Sequence, residues 1–183
     1  MQLKDLYQGF RHPDTIQHLA KAIAVEAAKV AGEVNIMEVC GGHTHTIMKY
    51  GLLQLLPDNI RFIHGPGCPV CIMPKERIDH AAALASMPNV ILVSLGDMIR
   101  VPGSKGSLAK FRSQGCDIRP IYDPLDTLVI AKDNPDKTVV FFAIGFETST
   151  PMTAVLVEQV IKLQLNNVLF HINHVLVPPA IDA

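Results

Sequence analysis

The chain has 183 residues, 49% apolar and 18% charged, with a formal net charge of -1, which is enough for one large domain or about two small ones with a buried core. Near-neutral charge, no Trp and only 5% aromatic residues argue against a phosphate-backbone or base-stacking surface, so no nucleic acid is expected. No run approaches the roughly 18 apolar residues of a membrane span, and Met1-Gln2-Leu3-Lys4-Asp5-Leu6-Tyr7 lacks the basic-then-apolar pattern of a signal peptide, so a cytoplasmic protein with reduced thiols is expected.

Residues 1–12 read as an arm. Pro13-Asp14 opens a helix reaching Val30, with an apolar stripe through Ile16, Leu19, Ile23, Val25 and Ala27. A strand follows from Val34 to Val39. Cys40-Gly41-Gly42-His43 comes directly after it, and Thr44 is placed to cap a helix carrying Ile47, Met48, Leu52, Leu53 and Leu56. Pro57-Asp58-Asn59 turns the chain into a strand Ile60–Ile63, whose end carries His64-Gly65-Pro66-Gly67-Cys68-Pro69-Val70-Cys71. Pro74 suits a first helical position and Glu76 the positive first turn of a helix running to Met87. A strand Val90–Ser94, a loop from Gly96 to Gly106, a helix around Ser107–Gln114 and a strand Asp117–Tyr122 come next. A helix through Leu125, Leu128 and Ile130 follows, then a strand Thr138–Ile144 apolar on both faces. Gly145-Phe146-Glu147-Thr148-Ser149-Thr150-Pro151 turns into a helix ending near Leu165, and Asn167–Ile172 forms a last strand before His174.

Strands alternate with helices about six times, which predicts an α/β fold with parallel sheet covered by helices on both faces. A boundary falls between residues 122 and 123. Residues 1–122 form an α/β domain carrying the Cys40 and Cys68/Cys71 loops, and residues 123–183 begin a second one. Two strand units are too few for an independent parallel domain, so this second domain is expected to be truncated and the chain to be a fragment.

Ligands gather beyond the carboxyl ends of parallel strands. Cys40, Cys68 and Ser94-Leu95-Gly96-Asp97 follow successive strands, so their loops are expected on one edge. Thiolates suit iron, zinc and copper(I), and Cys-x-x-Cys can chelate one ion. Cys40, Cys68 and Cys71 are therefore the candidate metal ligands, with Cys68 and Cys71 also a candidate redox dithiol. Glycines beside them let the backbone approach an ion and leave amides free to donate to sulfur. His43 and His45 stand beside Cys40, where each ring can hold a metal or bond to backbone; His64 is open to both readings. Cys116 reads as a small buried residue. Glu147 is a candidate proton carrier, and Thr148 and Thr150 candidate helix caps. Gly103-Ser104-Lys105-Gly106-Ser107 has an anion-cradle composition but not phosphate-loop spacing.

Cys40-Gly41-Gly42-His43-Thr44-His45, Gly65-Pro66-Gly67-Cys68-Pro69-Val70-Cys71 with Pro74, and Gly145-Phe146-Glu147-Thr148 resemble the signature blocks of the HypD family of nickel–iron hydrogenase maturation factors. The resemblance runs from about Val34 to the end. It implies an assembly scaffold, rather than a conventional turnover enzyme, for the Fe(CN)2CO group, acting with a small HypC-type chaperone and a HypE-type cyanide donor. By position, it implies that Cys40 is the principal iron ligand, with His43, and less directly His45 and Thr148, beside the group. It also implies that Cys68 and Cys71 form the redox-active or metal-contacting pair, and it places Glu147 in a family motif. Longer members carry a cysteine-rich C-terminal domain with a 4Fe–4S cluster; this chain has no cysteine after Cys116 and cannot supply that set. The competing expectation is a thioredoxin-like dithiol oxidoreductase using Cys68 and Cys71 alone. A nucleotide-binding module ranks last, because no Gly-x-Gly-x-x-Gly follows the first strand.

Overall fold

A computed structural model of the chain describes residues 12–182; residues 1–11 of the expected arm lie outside them. The chain divides into two compact units, Met1–Gly67 and Cys68–Ala183.

In the first unit, helix α1 (Pro13–Ala27) begins with Pro at the position where a missing N–H costs nothing. Strands β1 (Val34–Glu38) and β2 (Ile60–His64) pair in parallel, with Val34 opposite Ile60 and Glu38 opposite His64. Helix α2 (Gly41–Lys49) connects them, followed by a 3-10 turn at Leu52–Gln54. Thr44 does not cap α2: Cys40 occupies that position, and Thr44 lies inside the helix. The apolar stripe of α1 is largely uncovered. Leu19 and Val25 are exposed, only Ala27 is buried, and Ile16, Leu19 and Ile23 line an apolar groove of about 740 Å3 with Tyr50, Leu55 and Phe62.

In the second unit, α3 (Pro69–Ile72) is a single helical turn through the Cys-x-x-Cys segment, where the sequence predicts a loop. Helix α4 (Glu76–Ala85) leads to β3 (Val90–Leu95), and a 3-10 turn at Gly96–Arg100 leads to α5 (Leu108–Ser113). Then come β4 (Ile118–Ile121), α6 (Asp126–Asp133), β5 (Thr138–Gly145), α7 (Thr150–Lys162), β6 (Val168–His174) and α8 (Val177–Asp182). The strands form one parallel sheet in the order β4-β3-β5-β6. β5 is buried over all but its first residue, as its unbroken apolar run predicts. Alternation sends Val140, Phe142 and Ile144 into a layer with Ile78, Ala81 and Leu108, and Val139, Phe141 and Ala143 into a layer with Leu156 and Val160.

The α/β class with parallel sheets is present, but the division is not at 122/123. β3 pairs with β4 on one side and β5 on the other, so residues on both sides of that position share one sheet. Nor do the three candidate loops follow strands of one sheet. β1 and β2 pair with each other, whereas β3 belongs to the four-stranded sheet. The common-edge expectation therefore applies within the first unit, to the loops after β1 and β2.

Candidate functional site

β1 contributes one buried side chain, and it is a carboxylate. Glu38 is 7% exposed while Asn35, Ile36 and Met37 are exposed. A buried carboxylate must be paired and hydrogen-bonded to be tolerated, and Glu38 is. Its Oε2 accepts the Cys40 N–H at 3.1 Å, and its Oε1 accepts the Thr44 hydroxyl and His64 Nδ1 at 2.8 Å. These donors, Thr44 foremost and His64 next, lower its pKa from 4.5 to about 2, against the opposing effect of burial. The acceptor is an ionised carboxylate, so Nδ1 carries the proton in this contact and Nε2 is left on the far side of the ring.

The backbone repeats this convergence. Gly65 N–H donates to Glu38 O at 2.9 Å and Gly41 N–H to Gly67 O at 3.1 Å. A Cβ on Gly67 would stand 2.6 Å from Gly41 N, and one on Gly65 would stand 2.7 Å from Met37 Cγ. These glycines thus serve close loop-to-loop packing. The Gly41 amide, expected to be free for sulfur, is taken by a carbonyl. Cys40 emerges half-buried at the junction, and Cys68 is the residue after Gly67.

His43 and His45 are both exposed on α2. Spaced i,i+2, they do not face one another, so they cannot both approach one ion from the same side of this helix. His64 and Glu38 complete the Cys40 neighbourhood. Glu38 carried no role in the sequence reading; the available signal was two five-residue strands that end in an acid and an imidazole at matched positions, each just before a glycine-rich loop.

In the second unit, Cys68 takes the position before α3 and Cys71 lies within it; both are free thiols, half-buried and exposed respectively. A hydrogen bond to Cys68, then its charge, then burial raise the Cys71 pKa above its ordinary value. Two thiols three residues apart on this single turn can close to a disulfide by losing two electrons and two protons to an acceptor. Among the described residues, no group of three or more His, Cys, Asp or Glu stands ready to hold a metal ion.

Glu147 is exposed, and its carboxylate accepts the Val177 N–H at 2.9 and 3.2 Å, tying the β5–α7 turn to α8. Thr148 is exposed. Thr150 does not cap α7: its hydroxyl donates to Phe146 O at 3.0 Å, as does that of Ser149 at 3.1 Å. His174 Nδ1 lies 3.3 Å from Gly145 O and its Nε2 2.9 Å from Thr153 Oγ1. The loop with anion-cradle composition already meets a carboxylate from α4, because Ser104 N–H donates to Asp79 Oδ1 at 2.9 Å. Cys116 is half-buried, 3.7 Å from Ser86 Oγ.

The chain matches the family described as HypD, the hydrogenase formation hypA family, over residues 14–183. It belongs to the HypD family. It is 53% identical over 175 residues to the hydrogenase maturation factor HypD of Azotobacter vinelandii, covering 95% of this chain and 46% of that protein. It is 44% identical over 176 residues to the HypD of Escherichia coli K12, covering 94% and 47%, and 47% identical over 173 residues to that of Rhodobacter capsulatus, covering 90% and 46%. The chain spans about half the length of the curated HypD relatives it matches. Among its described residues, no helix is long and apolar enough to cross a membrane.

Proposed function

We propose that these residues form the cargo-receiving part of a hydrogenase maturation factor. In this reading the chain is an assembly scaffold for the Fe(CN)2CO group, working in the cytoplasm with a small HypC-type chaperone and a HypE-type cyanide donor. The iron is cargo, taken up and passed on. Cys40 supplies its principal thiolate, and Cys68 and Cys71 contact the iron or close to a disulfide, passing two electrons to an acceptor held by a partner protein and releasing two protons. His43, His45 and Thr148 line the approach to the group, and Glu147 orders the turn that bears Thr148. Thiolate and imidazole are chemically suited to iron(II).

The carrying observation is the Cys40 loop itself. A half-buried thiol sits on a backbone turn held by a buried carboxylate and by glycine-to-glycine packing, which positions it without sealing it away. The chain, purified anaerobically with its HypC-type partner, is expected to show infrared bands of iron-bound cyanide and carbonyl. Cys40→Ala is expected to abolish them; undiminished bands in that variant would refute the assignment.

A dithiol oxidoreductase is the second reading, favoured by the placing of two free thiols, Cys68 and Cys71, on one helical turn. It predicts disulfide reduction in which Cys68 and Cys71 are oxidised and a substrate disulfide accepts their two electrons and two protons. Turnover indifferent to Cys40→Ser would select it over the scaffold.

A further inference from the structure

The Cys40 turn carries a second potential donor, and it belongs to neither histidine of α2. His64 ends β2 directly opposite Glu38 in the parallel register. The Glu38 side chain is 6% exposed and that of His64 40%. One carboxylate thus bonds the Cys40 amide through one oxygen and the His64 ring through the other, so Cys40 and His64 flank a single buried group. Gly65 N–H on Glu38 O fixes the residue after His64, and Gly41 N–H on Gly67 O fixes the residue after Cys40. The backbone that carries the Cys40 thiol and the ring of His64 are therefore held by the same short network. A carboxylate that accepts one ring N–H of a histidine selects its tautomer and leaves the other nitrogen to bind a metal, an arrangement that raises ligand basicity and orientation together. Among the described residues, Nε2 of His64 has no bonded partner.

We propose that His64 Nε2 is the nitrogen ligand this chain offers to the iron cargo beside Cys40, and that Glu38 is the positioning residue that aims it. The inference rests on the reading of Cys40 as the iron-binding thiolate. It gives the cargo one sulfur and one nitrogen from the first unit, leaving its other positions to diatomic ligands, partner groups and any contact from Cys68 and Cys71. His43 and His45, although nearer to Cys40 in sequence, have no comparable support.

The test uses ferrous ion alone, added anaerobically to the 183-residue chain, with iron-edge X-ray absorption to identify the bound atoms. The intact chain is expected to show sulfur together with the outer-shell scattering of one imidazole. His64→Asn keeps an N–H donor where Nδ1 stood and removes Nε2; it should lose the imidazole scattering and retain the sulfur. His64→Gln provides a second non-imidazole variant, and hydrogen-exchange protection at Gly41 and Gly65 reports that the turn is intact in either. His43→Asn and His45→Asn should leave the imidazole scattering in place. Glu38→Gln should retain it while weakening ferrous binding by about 10–100-fold. Imidazole scattering that persists in both His64 variants, or that vanishes in a His43 or His45 variant, would overturn the proposal and spare the Cys40 reading. Sulfur-bound iron without imidazole in the intact chain would do the same. Iron bound without sulfur, or not at all, would overturn the Cys40 reading and this proposal with it.

Discussion

Glu38 concentrates much of the chemistry of the first unit in one side chain. It takes a main-chain amide, a hydroxyl and an imidazole, so its replacement removes three contacts, to Cys40, to α2 and to the end of β2. Its pKa in the folded chain, about 2, lies below the ordinary 4.5. The ionised form therefore favours folding, and that contribution is complete above about pH 4.5 and lost as pH falls toward 2. Protection of the Gly41 and Gly65 amides should fall through this window in the intact chain. Glu38→Gln should start lower at neutral pH and change less, so the two curves approach one another in acid. A constant gap from neutral pH down to about 2 would show that the carboxylate charge does not hold the turn.

At the scale of elements, β5 organises the second unit because both of its faces are covered. Phe141 and Phe142 are adjacent in sequence yet enter different apolar layers, and each is 1% exposed or less. Truncating a buried Phe removes transfer energy and leaves a cavity that neighbours fill only partly. Phe142→Ala is expected to lower unfolding stability by about 3–5 kcal/mol, measured by denaturant titration followed by circular dichroism. A loss below about 1 kcal/mol would mean that the layer formed with Ile78 and Leu108 collapses onto the space. The short α3 shows the limit of composition as a guide. Pro69 at its first position supplies the fixed φ that begins a helical turn, so a Cys-Pro-x-Cys segment can be helical although its flanks are loop-like.

The whole molecule is unevenly supported. Of residues 12–67, only Ala27 and Ile47 are buried apolar side chains, around a two-stranded sheet, and an isolated pair of strands is marginal in water. Residues 68–183 carry the four-stranded sheet and both apolar layers. A polypeptide of residues 68–183 should therefore unfold cooperatively by itself, whereas residues 1–67 alone should show little amide protection. Cooperative unfolding of the shorter piece would contradict this. Family membership extends over both units, since the match runs through residues 14–183.

Much of this organisation is legible in the residues. Alternating apolar runs and helical stripes place the strands and most of the helices, because burial periodicity is a local property of the chain. The three motif blocks carry the family, because their residues are read directly and need no geometry. The pairing of strands is different in kind. The sequence suggests parallel strands but does not say that β1 and β2 keep to themselves while β3 lies between β4 and β5, since partner choice depends on contacts between distant segments. For the same reason the boundary at 122/123 came from counting strand units, whereas sheet pairing puts both sides of it together. Thr44 resembles a helix cap in its local setting, yet its hydroxyl goes to Glu38, which is near only once β1 and α2 have folded together. The sequence by itself determined the element types, the cysteine chemistry and the family. Only the tertiary structure decided that a buried acid at the end of β1 joins Cys40 to His64, because a carboxylate's role is set by the donors folding brings within about 3 Å of it.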